Sequence, residues 1–208
     1  MNKTKTQKMT KIFSMLLAIE IILVMTPLVY LPIGVLSITT MHIPVIISGI
    51  LLGKKEGAAL GFVFGLTSMI RATLQPSVTS FCFSPFITIG GISGNYASVL
   101  IAFLPRILLG FVSGFIYENM IHKFNNKITI IVSSLAGTLT NTILVLLGIY
   151  IFFGQAYASV LGMAYETLIV ALLMVVASNG IIEAIVASVV CVLVCQGAHY
   201  VLRIKTEF

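Results

Sequence analysis

The chain has 208 residues, 59% of them hydrophobic and 9% charged, with a mean hydropathy of +1.13. Soluble domains carry about 25% charged residues, so this composition excludes an ordinary water-soluble globule, a disordered chain and a disulfide-stapled scaffold. Twelve Lys and Arg against six acids, all of them Glu, leave a net charge of +6; the apolar content and the placement of the charges assign that excess to a lipid bilayer and not to nucleic acid.

A spanning helix needs roughly 20 apolar residues. The charge-free stretches 21–53, 72–105, 128–165 and 184–202 therefore set the count. They predict a single integral membrane domain over 1–208 with six helices. Lys3, Lys5, Lys8 and Lys11 precede the first, over 12–31, which crosses Glu20. Its apolar stretch is too long for a signal peptide and no A-x-A site follows it, so it reads as an uncleaved span. Leu31-Pro32-Ile33-Gly34 breaks it, and a short second helix covers 38–52. Gly53-Lys54-Lys55-Glu56-Gly57 forms a tight charged turn into the third, 58–73. The uncharged segment 74–95 holds Pro76, Pro85, Gly90, Gly91 and Gly94 and reads as a long connection. The fourth helix covers 97–117 and the fifth 128–152. Residues 154–179 are apolar but interrupted by Gly162 and by Ser178-Asn179-Gly180, and the sixth helix covers 181–202.

The lysines orient this bundle. Lys3 to Lys11, Lys54/Lys55, Lys123/Lys127 and Arg203/Lys205 fall at alternate boundaries, hence on one face, which the positive-inside rule makes cytoplasmic. Both termini are then inside. The opposite face carries the connections 32–37, 74–95 and 154–179. Non-helical backbone at membrane depth survives only under protein cover or beside a cavity. Thr79 to Phe86 is therefore expected to fold back over the bundle and cap an outward-facing pocket. The fold class expected is an all-α membrane protein, a six-transmembrane-helix bundle with outer loops covering a ligand pocket.

Arg71 and Arg106 are the cations away from the cytoplasmic boundaries. A charge inside a bilayer is costly unless paired and usually marks function. Arg71 falls near the outer end of the third helix; Arg106 follows Pro105, roughly 13 Å down the fourth. Each guanidinium suits a carboxylate, gripped through two parallel hydrogen bonds. The alternative is an internal pair with Glu183 or Glu166. Asn141 gives the fifth helix a polar stripe, and His42 and Asn179 lie near outer helix ends; each either glues helices together or bonds a polar ligand. Tyr150, Tyr157 and Tyr165 are amphipathic and outer-facing. Glu20 is either a protonated or paired structural group or faces a polar cavity.

Gly57, Gly61 and Gly65 recur every four residues, as do Gly110 and Gly114; such ridges let helix backbones approach closely, within the chain or against a partner. Cys82, Cys191 and Cys195 show no metal or redox spacing and read as buried apolar filler. No G-x-x-x-x-G-K-[ST], H-E-x-x-H, G-x-S-x-G or C-x-x-C motif and no run of acids is present. Neither a metal site nor an enzyme is expected, although an intramembrane enzyme using Glu20, His42 or Glu183 and a ligand-free structural membrane protein stand as alternatives.

The order of segments carries a resemblance. A lysine-rich start, a short second helix reading Thr40-Met41-His42-Ile43-Pro44-Val45-Ile46-Ile47, the turn Leu51-Leu52-Gly53-Lys54-Lys55-Glu56-Gly57-Ala58 and a last helix opening Asn179-Gly180-Ile181-Ile182-Glu183-Ala184 resemble the substrate-binding (S) component of an energy-coupling factor (ECF) transporter over nearly the whole chain. Ser80-Phe81-Cys82-Phe83-Ser84-Pro85-Phe86, Pro105-Arg106-Ile107-Leu108-Leu109-Gly110 and Phe152-Phe153-Gly154-Gln155-Ala156-Tyr157-Ala158 are most similar to the pantothenate-specific branch. The resemblance implies a high-affinity vitamin-binding subunit in a bacterial cell membrane, with another vitamin or small metabolite as the alternative cargo. It implies as partners a transmembrane coupling (T) protein with two ATP-hydrolysing subunits, so that this chain carries no cofactor and ATP is used next door. The family often shows Ala-xxx-Ala on the first helix for docking the T protein; the nearest match here is Ser14-xxx-Ala18. Pantothenate, a carboxylate with hydroxyls and an amide, asks for Arg71 or Arg106 and for neutral groups among Asn95, Asn141, Asn179, Gln155, His42 and Tyr157.

Overall fold

The computed structural model describes residues 3–26, 30–33 and 36–202, with side chains from 7–26 and 40–200. Among the described residues there are seven α-helices: α1 (Lys3–Met25), α2 (His42–Leu52), α3 (Lys54–Leu74), α4 (Tyr96–Met120), α5 (Asn126–Val160), α6 (Tyr165–Val175) and α7 (Ile181–Leu202). Two antiparallel hairpins accompany them, β1 (Tyr30–Ile33) with β2 (Leu36–Thr39) and β3 (Thr88–Ile89) with β4 (Ile92–Ser93). Among the described residues, four helical stretches are long and apolar enough to cross a membrane: Lys54–Leu74, Tyr96–Met120, Asn126–Val160 and Tyr165–Tyr200.

Three expectations change. The first helix stops at Met25 and not at residue 31, and the second starts at His42 and not at residue 38. Residues 30–33 and 36–39 pair as strands, with Tyr30 opposite Thr39 and Ile33 opposite Leu36; Pro32 cannot sit in a helix interior, and the Ser-Ile-Thr-Thr run favours extended backbone. Residues 27–29, Gly34 and the Arg203/Lys205 pair lie outside the described residues. The third change is at the last helix. Helix α5 runs on to Val160, leaving a short turn in which Gly162 takes φ +67°. Helix then resumes at Tyr165, and Ser178-Asn179-Gly180 does not break it: Val176–Gly180 is one π-helical turn joining α6 to α7. One extra residue per turn absorbs the poor helix formers, and Gly180 packs against Thr142 of α5.

Helices α3 and α4 are antiparallel and meet through the glycine ridge. A Cβ at Gly57 would lie 2.5 Å from the Gly110 carbonyl, one at Gly65 2.9 Å from that of Ala102, and one at Gly61 would overlap the Arg106 carbonyl. The ridge thus packs within the chain. At the far end of α3, Gly53 (φ 117°) makes the turn from α2, and Glu118 of α4 accepts from the Lys54 backbone N–H (3.0 Å) and pairs with Lys54 Nζ (2.8 Å). The main core surrounds α2, whose eleven residues are all buried.

Segment 75–95 folds back on the helix ends. Phe81 and Cys82 are fully enclosed. The Ser98 hydroxyl donates to the Phe81 carbonyl (2.6 Å), Thr73 Oγ1 and Ser84 Oγ share a hydrogen bond (2.8 Å), and the Phe81 ring meets Phe153 of α5 edge-on at 5.6 Å. Each of the three neighbouring helices therefore holds the segment at one point. At 35 residues α5 is about 52 Å long, well beyond a hydrocarbon core of about 30 Å, so its end extends far enough to brace this loop.

Candidate functional site

A cavity of about 160 Å³ opens under the 80s loop, beside the start of α2 and the C-terminal half of α3 and against the middle of α4 and α5. Helix α3 supplies Phe64, Ser68, Arg71 and Ala72, and its C-cap Gln75 follows; Met41, Ser80, Phe83, Arg106 and Asn141 complete the lining. The α3 spacing i, i+4, i+7, i+8 is one helical face.

Arg106 is buried, 8% exposed. Its Nη1 donates to the Ile101 carbonyl (2.6 Å), and its guanidinium carbon lies 5.5 Å from the Phe64 ring centre and 5.3 Å from that of Phe83. Cation–π attraction and the short charge-assisted bond keep this charge at low cost in an apolar wall. Arg71 is half-buried at the mouth. The Asn141 Oδ1 is buried with no hydrogen-bond partner, an acceptor that a ligand donor would satisfy. The site thus offers positive charge on one wall, aromatic surface beside it and neutral polar atoms opposite.

Of the eight residues expected to bind substrate, the structure brings Arg71, Arg106 and Asn141 around this cavity. Asn179 lies in the π turn, where Gly180 touches Thr142, next to Asn141; its Oδ1 is likewise buried without a hydrogen-bond partner. Neither Asn179 nor the other four line the cavity. Asn95 is exposed and caps α4, accepting from the Ala97 N–H (2.8 Å). Gln155 is exposed on α5. Tyr157 packs with the Phe81–Phe153 cluster beneath the loop. His42 faces α7, hydrogen-bonded to the backbone of Glu183. Sequence reasoning passed over Ser68, Gln75, Phe64, Ser80 and Phe83; stepping along α3 from Arg71 at helical spacing would have found the first three. Glu20 is fully enclosed on α1, and Tyr150 and Tyr165 stack at 5.6 Å. Among the described residues no three His, Cys or Glu side chains converge as a metal site would require.

A family model described as "ECF transporter, substrate-specific component" matches residues 7–195. The chain belongs to this family. As an ECF substrate-specific component it is part of a multi-pass membrane transporter and not an enzyme. It is 43% identical over 150 residues to the pantothenic acid transporter PanT of Lactococcus lactis subsp. cremoris (strain MG1363), covering 72% of this chain and 71% of that one. It is 31% identical over 194 residues to the pantothenate transporter PanT of Leuconostoc mesenteroides subsp. mesenteroides, covering 88% and 87%.

Proposed function

We propose that this ECF substrate-specific component binds pantothenate in the cavity between α3, α4 and the 80s loop and delivers it inward. The observation that carries the reading is the convergence of Arg71, Arg106 and Asn141 on one cavity. A carboxylate needs a cation, and a desolvated guanidinium offers a bidentate one. The hydroxyls and amide of pantothenate need neutral partners, for which Asn141, Ser68, Gln75 and Ser80 stand on the same lining. The names of the two relatives support the choice of vitamin.

In this reading α1, α2 with its preceding hairpin, α3, α4, α5 and the joined α6–α7 make six passes. Lys54/Lys55 and Lys123/Lys127 lie at the end away from the cavity, which supports an outward-facing site and cytoplasmic termini. A T protein with two ATPase subunits drives release. Ser14 and Ala18 are both exposed on one face of α1, a small-residue stripe against which a helix of the T protein would dock.

Titration of the purified chain against a panel of vitamins tests the proposal. Pantothenate alone is expected to bind tightly. Arg71→Ala and Arg106→Ala are each expected to weaken it about thirtyfold, the equivalent of about 2 kcal/mol for a desolvated charge partner. Unchanged affinity in both variants would remove the carboxylate site.

A further inference from the structure

We propose that Pro105 is a positioning residue for the carboxylate site, acting on Arg106 through the backbone carbonyl of Ile101. The inference rests on Arg106 being the group that meets the carboxylate.

In a regular helix the carbonyl of residue 101 accepts the N–H of residue 105. Residue 105 is Pro, inside α4 and buried, and has no N–H to give. Ile101 is itself 2% exposed, so water does not replace the missing donor, and a buried carbonyl left alone costs about as much as a lost hydrogen bond. Arg106 Nη1 fills that vacancy at 2.6 Å. The direction suits it, because helical side chains lean towards the N-terminus, here the end of α4 that faces the cavity. The rings of Phe64 and Phe83 hold the guanidinium from the side.

The chain thus places an acceptor gap next in sequence to the cation that closes it. Arginine is among the most rotamer-rich side chains, and ordering it on ligand binding lowers affinity. Anchoring Nη1 beforehand leaves the guanidinium in place when a carboxylate arrives. An ordinary residue at 105 returns the Ile101 carbonyl to the helix ladder, where the new N–H competes with Arg106 Nη1 and loosens that anchor.

The test compares three full-length chains: wild type, Pro105→Ala, and Pro105→lactic acid, the ester analogue of alanine that also lacks the N–H. Each is titrated with pantothenate and with pantothenol, in which an alcohol replaces the carboxylate. Pro105→Ala is expected to lose tenfold or more in affinity for pantothenate and nothing for pantothenol, and the ester chain to bind both as wild type does. Equal pantothenate affinity in wild type and Pro105→Ala overturns the proposal. So does an equal loss in the alanine and ester chains, which would assign the effect to the ring. Nitrogen-15 spectra of ligand-free protein read the anchor directly: the Arg106 Nη signal, assigned by its absence in Arg106→Lys, is expected to exchange slowly in wild type and the ester chain and rapidly in Pro105→Ala. If wild type fails to bind pantothenate, the proposed function falls, while these spectra still decide the role of Pro105.

Discussion

Gly61 of α3 stands directly against the backbone carbonyl of Arg106 on α4, with no room for a Cβ between them. The backbone that carries the buried guanidinium is therefore set by the absence of a side chain on the neighbouring helix. Gly→Ala in a helix interior normally gains about 1 kcal/mol of propensity. At position 61 the methyl must instead push α3 and α4 apart. We expect Gly61→Ala to lower the thermal unfolding temperature and to weaken pantothenate binding. Gly197→Ala, on α7 with nothing within 4 Å of the added Cβ, is expected to stabilise the chain by up to about 1 kcal/mol and leave binding intact. Calorimetric melting and titration of both variants check this contrast.

The 80s loop depends on Ser98. Its hydroxyl donates to the buried Phe81 carbonyl and accepts from the Asn95 N–H, closing the capping box of α4. Ser98→Ala strands a buried carbonyl and weakens the cap, a loss of about 1–3 kcal/mol. Because Ser80 and Phe83 of this loop line the cavity, ligand dissociation measured by rapid mixing is expected to accelerate.

Glu118 offers the opposite case. It joins the Lys54 backbone and ammonium at the end of α3 away from the cavity, with both side chains partly exposed (35% and 18%). Glu118→Gln is expected to cost about 1 kcal/mol or less, the more so in low salt. Pantothenate affinity should not change. A binding defect in this variant would mean that the two ends of α3 are coupled.

Cys82 reports on the loop. It is fully enclosed, and burial pushes its thiol up to about 12, so at pH 7–8 it is protonated and shielded. In a Cys191→Ser, Cys195→Ser background, maleimide should label it far more slowly than it labels the denatured chain. Saturating pantothenate should slow it further by holding the loop closed.

Much of this was legible before the fold was seen. The charge-free stretches 128–165 and 184–202 located the body of α5 and α7, because a lipid environment excludes charge from a span. Arg71, Arg106 and Asn141 stood out as polar groups in apolar helices, and the fold brings them around one cavity. The β1–β2 hairpin was not read in advance, because the apolar run around Pro32 and Gly34 looked like a helix break between two spans, and the extended preference of Pro32 and of Ser37-Ile38-Thr39 was not weighed. Ser178-Asn179-Gly180 read as a break because propensity alone does not show that a π turn can absorb three weak helix formers. Asn95 read as a ligand group because a helix cap and a ligand contact call on the same side-chain oxygen.

The most direct measurement is mass spectrometry of the small molecule released when the chain, purified from cells grown with a full vitamin supply, is denatured. Pantothenate is expected, in wild type but not in Arg106→Ala. A different vitamin, or no released molecule from protein that still unfolds cooperatively, would contradict it.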